Sequence, residues 1–358
     1  MALRIGISTG GGDAPGLNAV IRAFVKHGCR DLDLEVIGIE DAFDGLLCEP
    51  RRLMPLDLKS CQGLLHRGGT ILGTTNRGDP FAYPTPSGPI DRSRDLAAAA
   101  REAGLQGIVC IGGEGTQGIA LRLMRETGLP VIGVPKTIDN DLGATDVTFG
   151  FASAVDVATE ALDRLHTTAE SHERVMFLEV MGRDTGHIAL HAGIAGGADV
   201  ILLPELPYDP ERVAAKIQQR IDLGRPFTIV VVAEGAVPND CTSLDLRQRH
   251  ARIHEGGGAA SLAVSRLRAH CAAEMRVTVL GYLQRGGSPI PQDRILATRF
   301  GVAAADLVAQ GRWGEMVCLR NGQVIGVSIE EAVRSLRTVD LDGELVRVAR
   351  ATGIELGG

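Results

Sequence analysis

Gly107-Ile108-Val109-Cys110-Ile111, followed by Gly112-Gly113-Glu114-Gly115-Thr116-Gln117-Gly118, is an apolar run that breaks into glycines and then into helix-forming residues from Ile119 to Thr127. An apolar run of strand length ending in a glycine loop and a helix is the unit of a parallel α/β sheet. Glycines let the backbone approach an anion closely, and the helix N-terminus beyond them offers amide donors and the positive end of a dipole. Glu114 stands where phosphate oxygens would sit, which makes chemical sense if a divalent cation lies between them. The same pattern occurs earlier, with Ile5-Gly6-Ile7-Ser8 leading through Thr9-Gly10-Gly11-Gly12-Asp13-Ala14-Pro15-Gly16 into Leu17-Asn18. A glycine loop by itself is also an ordinary tight turn, and neither loop ends in the Lys-Ser or Lys-Thr of a Walker A motif.

Working outward, strand-like runs at 4–8, 34–39, 107–111, 130–134, 174–180, 200–203, 227–233 and 276–281 alternate with helical segments. The helices are predicted at 16–29, 93–103, 117–127, 151–169, 186–196, 209–223, 257–272 and 292–310. This alternation predicts doubly wound sheets, whose ligands bind at the carboxyl edge of the strands, where both glycine loops fall. The stretch 78–90 reads as a surface excursion and 236–258 as a variable loop ending in Gly256-Gly257-Gly258.

After the strand at 130–134 come Pro135-Lys136-Thr137-Ile138-Asp139-Asn140-Asp141. In isolation this is either a polar turn held by local Asp and Asn bonds or equipment for phosphoryl transfer. Lysine neutralises phosphate oxygens, threonine hydrogen-bonds one of them, and a carboxylate takes a proton or holds magnesium. Two glycine loops upstream favour the second reading.

Composition narrows the classes. The 358 residues are 44% hydrophobic but only 3% aromatic, with one tryptophan, Trp313, so the core is predicted to be Ala, Val, Leu and Ile, which suits buried parallel strands. A net charge of −7 argues against nonspecific binding to nucleic acid or an anionic membrane. Seven cysteines without CxxC pairs read as reduced thiols. No N-terminal signal or membrane-length apolar run is visible, and a cytoplasmic protein is predicted. The pairs His166/His172 and His187/His191 lack a third nearby ligand and read as packing or surface residues rather than a zinc site. No GxSxG elbow or HExxH motif supports a hydrolase.

Taken together, the blocks resemble the phosphofructokinase family, which phosphorylates fructose 6-phosphate on its 1-hydroxyl. The resemblance is carried by GISTGGGDAPGLNAVIR (6–22), HRGGTILGTTNRG (66–78), IGGEGT (111–116), PKTIDND (135–141), TFGFASAV (148–155), SHERVMFLEVMGRDTGHIAL (171–190), AEG (233–235) and VTVLGYLQRGGSP (277–289). It implies two doubly wound, Rossmann-like α/β domains. Residues 1–150 plus 283–333 would bind the phosphoryl donor, and 151–282 plus 334–358 the sugar phosphate.

Site residues follow by position. Asp139 is expected to be the general base toward the sugar hydroxyl, supported by Asp141. Thr137 and Lys136 would hold the transferring phosphoryl group, and Arg183 would steady its transition-state charge. Gly11, Gly12, Asn76, Arg77, Gly113, Glu114, Gly115 and Thr116 are expected at the donor, with Glu114 toward Mg2+. Thr137, Ile138, Asp139, Met181, Gly182, Arg183, Glu234, Tyr282, Leu283, Gln284 and Arg285 are expected at the sugar phosphate. Arg174 and Arg276 match residues reaching a neighbouring subunit's site, so a homotetramer with shared active sites is implied.

The chain departs from the pattern in places. Tyr282 stands where many bacterial relatives carry histidine, Asn76-Arg77 replaces an arginine one place earlier, and Glu114 replaces a common aspartate. The effector site of regulated relatives is matched by Arg22 and Lys26 but not at His166 or Arg225-Pro226-Phe227, which argues against control by ADP or phosphoenolpyruvate. Two residues speak to the donor. Gly115 leaves room for ATP where pyrophosphate users carry aspartate, whereas Lys136 is typical of those pyrophosphate users. The steric argument is the stronger, and ATP is expected, with pyrophosphate the alternative. An inactive sugar-phosphate-binding regulator would be expected to lack Asp139, Thr137 or Arg183, and all three are present.

Overall fold

The computed structural model describes residues 2–358. In chain order the elements are β1 (Leu3–Thr9), α1 (Leu17–Asp31), β2 (Leu34–Ile39), α2 (Asp44–Leu47), β3 (Leu53–Leu56), α3 (Ser93–Glu102), β4 (Gly107–Gly112), α4 (Glu114–Thr127), β5 (Val131–Thr137) and β6 (Phe149–Gly150). There follow α5 (Phe151–His172), β7 (Val175–Val180), α6 (His187–Ala195), β8 (Val200–Leu202), α7 (Pro210–Asp222), β9 (Thr228–Ala233), α8 (Leu246–Glu255), α9 (Ala259–Leu267) and β10 (Met275–Val279). The chain ends with α10 (Pro291–Ala309), β11 (Glu315–Arg320), β12 (Gln323–Ser328), α11 (Ile329–Ala332) and α12 (Glu344–Ala351).

The chain divides into two compact units. Among the described residues the first comprises 2–138, 142–153 and 285–336. Its sheet runs β12-β11-β5-β4-β1-β2-β3, with β6 paired to β5. The central strands β2, β1, β4, β5 and β11 are parallel, with antiparallel β3 and β12 at the edges. Apolar side chains are buried on both faces, one packed under α1 and α10 and the other under α3 and α4. That explains why β1 and β4 read as continuous rather than alternating apolar runs. Cys110 is one such core residue, and burial pushes its thiol up to about 12.

The second unit comprises residues 139–141, 154–284 and 337–358. Its sheet is the all-parallel order β10-β7-β9-β8. The inner strands β7 and β9 are buried throughout, whereas β10 forms an edge exposed from Arg276 to Val279.

Four features differ from the sequence expectations. The stretch 236–258 is not a loop throughout: α8 lies within it, started by a reciprocal cap in which Asp245 accepts from the Gln248 amide and Gln248 from the Asp245 amide. Such a capping box is a helix-start signal. The β11–β12 hairpin turns at Asn321 and Gly322, both with positive φ, the Asn-Gly chemistry of a tight hairpin. Short β3 contains Pro55, tolerated because the strand lies at an edge. Finally, α12 near the C-terminus lies outside the helices that the sequence predicts. Among the described residues no helix is long and apolar enough to cross a membrane, and their seven cysteines are free.

Candidate active site

In the first unit, the carboxyl ends of three neighbouring strands, β1, β4 and β5, deliver Gly10–Gly12, Gly112–Thr116 and Lys136–Thr137 to one edge of the sheet. The Gly10 amide donates to the Ile111 carbonyl at 2.9 Å, which ties the two glycine loops together. Lys136 is 3% exposed, and its ammonium donates to the Gly12 carbonyl. Burying an ammonium is costly unless it is hydrogen-bonded, so a lysine kept here marks an edge built around charge. Arg285 approaches from the other side, its Nη1 donating to the Asp13 carbonyl at 3.1 Å. A Cβ at Gly12 would stand 2.7 Å from that guanidinium nitrogen, so a larger residue there would push Arg285 from its present place.

Glu114 and Gly115 begin α4 and are exposed. Beside them is a cavity of about 170 Å³ lined by Gly10, Gly11, Phe43, Asn76, Gly115 and Thr116 among others. Arg77, expected beside Asn76, is exposed and does not line it. Among the described residues no cluster of three His, Cys, Asp or Glu side chains could hold a metal unaided. Mg2+ at phosphoryl-transfer sites needs only one or two carboxylates together with the substrate's own phosphates, so Glu114 fits a metal arriving with its polyphosphate.

In the second unit, Asp139, Asn140 and Asp141 form a turn in which Asn140 takes a left-handed φ of 55°, a conformation asparagine tolerates better than most residues. The turn is held by its carbonyls: Thr185 Oγ1 donates to Asp139 at 3.2 Å and the Arg337 amide to Asp141 at 2.7 Å. Met181, Gly182 and Arg183 follow β7, and Glu234 follows β9. Arg183 and Glu234 line a cavity of about 430 Å³ that also involves His250 and His254 of α8.

The remaining expected residues fall into three groups. Ile138 and Gln284 are fully buried. Gln284 Oε1 accepts from the Met181 amide at 2.7 Å and its Nε2 donates to the Ala154 carbonyl, so it fixes the backbone leading to Arg183. Tyr282 and Leu283 are 84% and 68% exposed. Arg174 and Arg276 both pair with Glu274, whose carboxyl is held below the usual range chiefly by its bond to Arg174. His250, His254 and Asp184 were not anticipated. The capping signal at Asp245 and Gln248 could have placed the first two on a helix, but nothing in the sequence joined them to Arg183.

His187 and His191 take packing roles. His187 Nε2 lies 3.0 Å from the Arg337 carbonyl, and His191 Nδ1 lies 2.8 Å from the His187 carbonyl. Burial pushes His187 down to about 4, and it lowers His191 as well. Below the unfolded value of 6.5 the unfolded chain takes up a proton that folded His187 refuses. The stabilisation is therefore complete above that value and is lost as pH falls toward 4, amounting to about 3 kcal/mol. Thermal melts across this window should show the loss, and a steep limb that persists in His187→Gln would remove His187 as its source.

The Phosphofructokinase family model matches residues 4–308. Over 355 residues, 99% of this chain and 98% of its relative, the sequence is 50% identical to ATP-dependent 6-phosphofructokinase 1 of Synechocystis. It is 47% identical to the pyrophosphate–fructose 6-phosphate 1-phosphotransferase of Streptomyces coelicolor, covering 94% of this chain and 96% of that one. The structure is similar to Pichia pastoris phosphofructokinase in the T-state, with a TM-score of 0.79 and 28% identity over 93% of this chain, which spans 36% of the Pichia chain. Matched by the family model over residues 4–308 and 50% identical to a 6-phosphofructokinase along nearly its whole length, the chain belongs to the phosphofructokinase family.

Proposed function

We propose that this chain is an ATP-dependent 6-phosphofructokinase, which transfers the γ-phosphoryl of ATP to the 1-hydroxyl of fructose 6-phosphate. The observation that carries the reading is Gly115, which lines the cavity beside both glycine loops with open space around its Cβ position and so leaves room for a nucleotide, next to the buried Lys136 ammonium at the carboxyl edge of the same sheet. That is a cradle for a polyphosphate. The first unit is assigned to the donor and the second to the sugar phosphate.

Asp139 accepts the proton of the 1-hydroxyl as that oxygen bonds to phosphorus, and the bond to the ADP oxygen breaks. Thr137, Lys136 and Arg183 meet the charge on the moving phosphoryl group, whose loose transition state places most of the catalytic burden on positioning and electrostatics. Glu114 would hold Mg2+, which when bound neutralises donor phosphate charge. Chelation with EDTA should therefore abolish turnover and excess Mg2+ restore it; turnover that survives chelation would remove Glu114 from this role. Incubating the chain with fructose 6-phosphate, Mg2+ and either ATP or pyrophosphate tests the main reading. Product with ATP supports it, product with pyrophosphate alone replaces it with the pyrophosphate-dependent reaction, and no product leaves an inactive sugar-phosphate binder.

A homotetramer with sites shared between subunits belongs to the same reading, with Arg174 and Arg276 serving a neighbour. Beside Arg276, the edge strand β10 and the turn after it expose Val277, Val279, Tyr282 and Leu283 at 36%, 55%, 84% and 68%. An open, partly apolar strand edge of this kind invites a partner. Cytoplasmic residence is supported by the free thiols.

A further inference from the structure

The cavity that holds Arg183 and Glu234 has one wall built from α8. That helix is anchored independently of any ligand. Its start is fixed by the Asp245/Gln248 box, Arg249 Nε donates to the Leu244 carbonyl at 3.0 Å, and Ile253 is buried among the core residues around β9 and α9. So anchored, α8 brings His250 to Asp184, with Nε2 lying 3.4 Å from Oδ1. The other carboxylate oxygen of Asp184, Oδ2, accepts from Arg183 Nε at 3.0 Å. One oxygen of the carboxylate thus accepts from Arg183 while the His250 ring stands beside the other, the Asp184 side chain 19% exposed against 68% for Arg183.

We propose that His250 is a positioning residue for phosphoryl transfer: its ring, standing at Oδ1 of Asp184, blocks the guanidinium of Arg183 from reaching that second oxygen, so that Arg183 keeps its single bond to Oδ2 and its remaining donors stay on the cavity side. This rests on the assignment of Arg183 to the transition-state charge. A planar guanidinium readily forms paired bonds with both oxygens of a carboxylate. If His250 is removed, Asp184 is free to take Arg183 in that bidentate pair, turning its donors away from the phosphoryl group and cancelling its charge. Glutamine at 250 keeps a polar group of similar reach beside that oxygen.

The test is steady-state kinetics of the full chain with fructose 6-phosphate and ATP, with circular dichroism melts to establish folding. His250→Ala is expected to lower kcat about tenfold with KM for the sugar phosphate within roughly twofold, because a misplaced transition-state contact acts on kcat. His250→Gln should recover most of the loss. In an Asp184→Ala background, which releases Arg183 outright, His250→Ala should cost nothing further, the non-additivity expected of residues acting through one contact. A helix that merely walls the cavity would instead raise KM and respond to alanine and glutamine alike, and either result overturns the proposal. So does a parent-like His250→Ala in a protein that Arg183→Ala cripples, which leaves the assignment of Arg183 standing. If Arg183→Ala is itself parent-like, that assignment falls and the role of His250 falls with it.

Discussion

Replacing Asp139 with asparagine should lower kcat by about a thousandfold while changing KM for fructose 6-phosphate by less than about threefold. Asparagine preserves the volume and one acceptor oxygen of aspartate but cannot take a proton at neutral pH. The turn bearing it is held by backbone carbonyls, at 3.2 Å from Thr185 and 2.7 Å from the Arg337 amide. Neither bond involves the substituted carboxylate, and a melting temperature close to the parent's would show that the kinetics report chemistry rather than collapse. The split between the constants is the informative part. A base that works only as the new bond forms contributes to kcat, whereas a residue that anchors the sugar raises KM. A variant with parent kcat would move the base elsewhere, with Asp141 the next carboxylate to test. A variant whose loss lies wholly in KM would make Asp139 a binding residue.

The parts of this site that the sequence disclosed are those whose chemistry is local. Gly112–Thr116 and Gly10–Gly12 each follow a strand and lead into a helix, and Lys136–Asp141 continues from a third strand, so hydropathy and glycine content alone place them at a sheet edge. The parts that stayed hidden depend on contacts between residues distant in the chain. Nothing around His250 points to Asp184, and the commitment of Gln284 to the Met181 amide follows only from how β7 and the segment after β10 pack. Two oversights were of another kind, because their signals were present. Asn321-Gly322 is hairpin chemistry and Asp245 with Gln248 is a helix cap. The cap at Asp245 opens a helix rich in Arg, His and Gln, whose polarity hides its periodicity, whereas Asn321-Gly322 lies between the apolar runs Met316–Leu319 and Val324–Val327 and is a plain hairpin signal.

Gly115→Asp should reduce kcat/KM for ATP by roughly 100- to 1000-fold without destabilising the protein. A Cβ at residue 115 meets nothing within 4 Å, and the residue lines the cavity shared by both glycine loops, so an aspartate there extends into open space. Its charge affects folding and binding with opposite sign. Near the N-terminus of α4 a carboxylate gains from the helix dipole, about 0.3–1 kcal/mol toward the folded state. Toward a nucleotide the same charge confronts a further phosphate, and a like-charge encounter costs several kcal/mol. A variant that melts no lower than the parent yet loses ATP turnover would thus identify the cavity as the place of the nucleotide's inner phosphate. Pyrophosphate has no such inner phosphate and should be spared, so its use measured in parallel separates a gate from general damage. Pyrophosphate turnover that appears in the variant would mean that Lys136 already supplies what this donor needs. Loss of ATP use without that gain would make Gly115 necessary for the nucleotide but not sufficient to set the choice. Unchanged ATP use would place the nucleotide outside the cavity and remove the steric argument for ATP as donor.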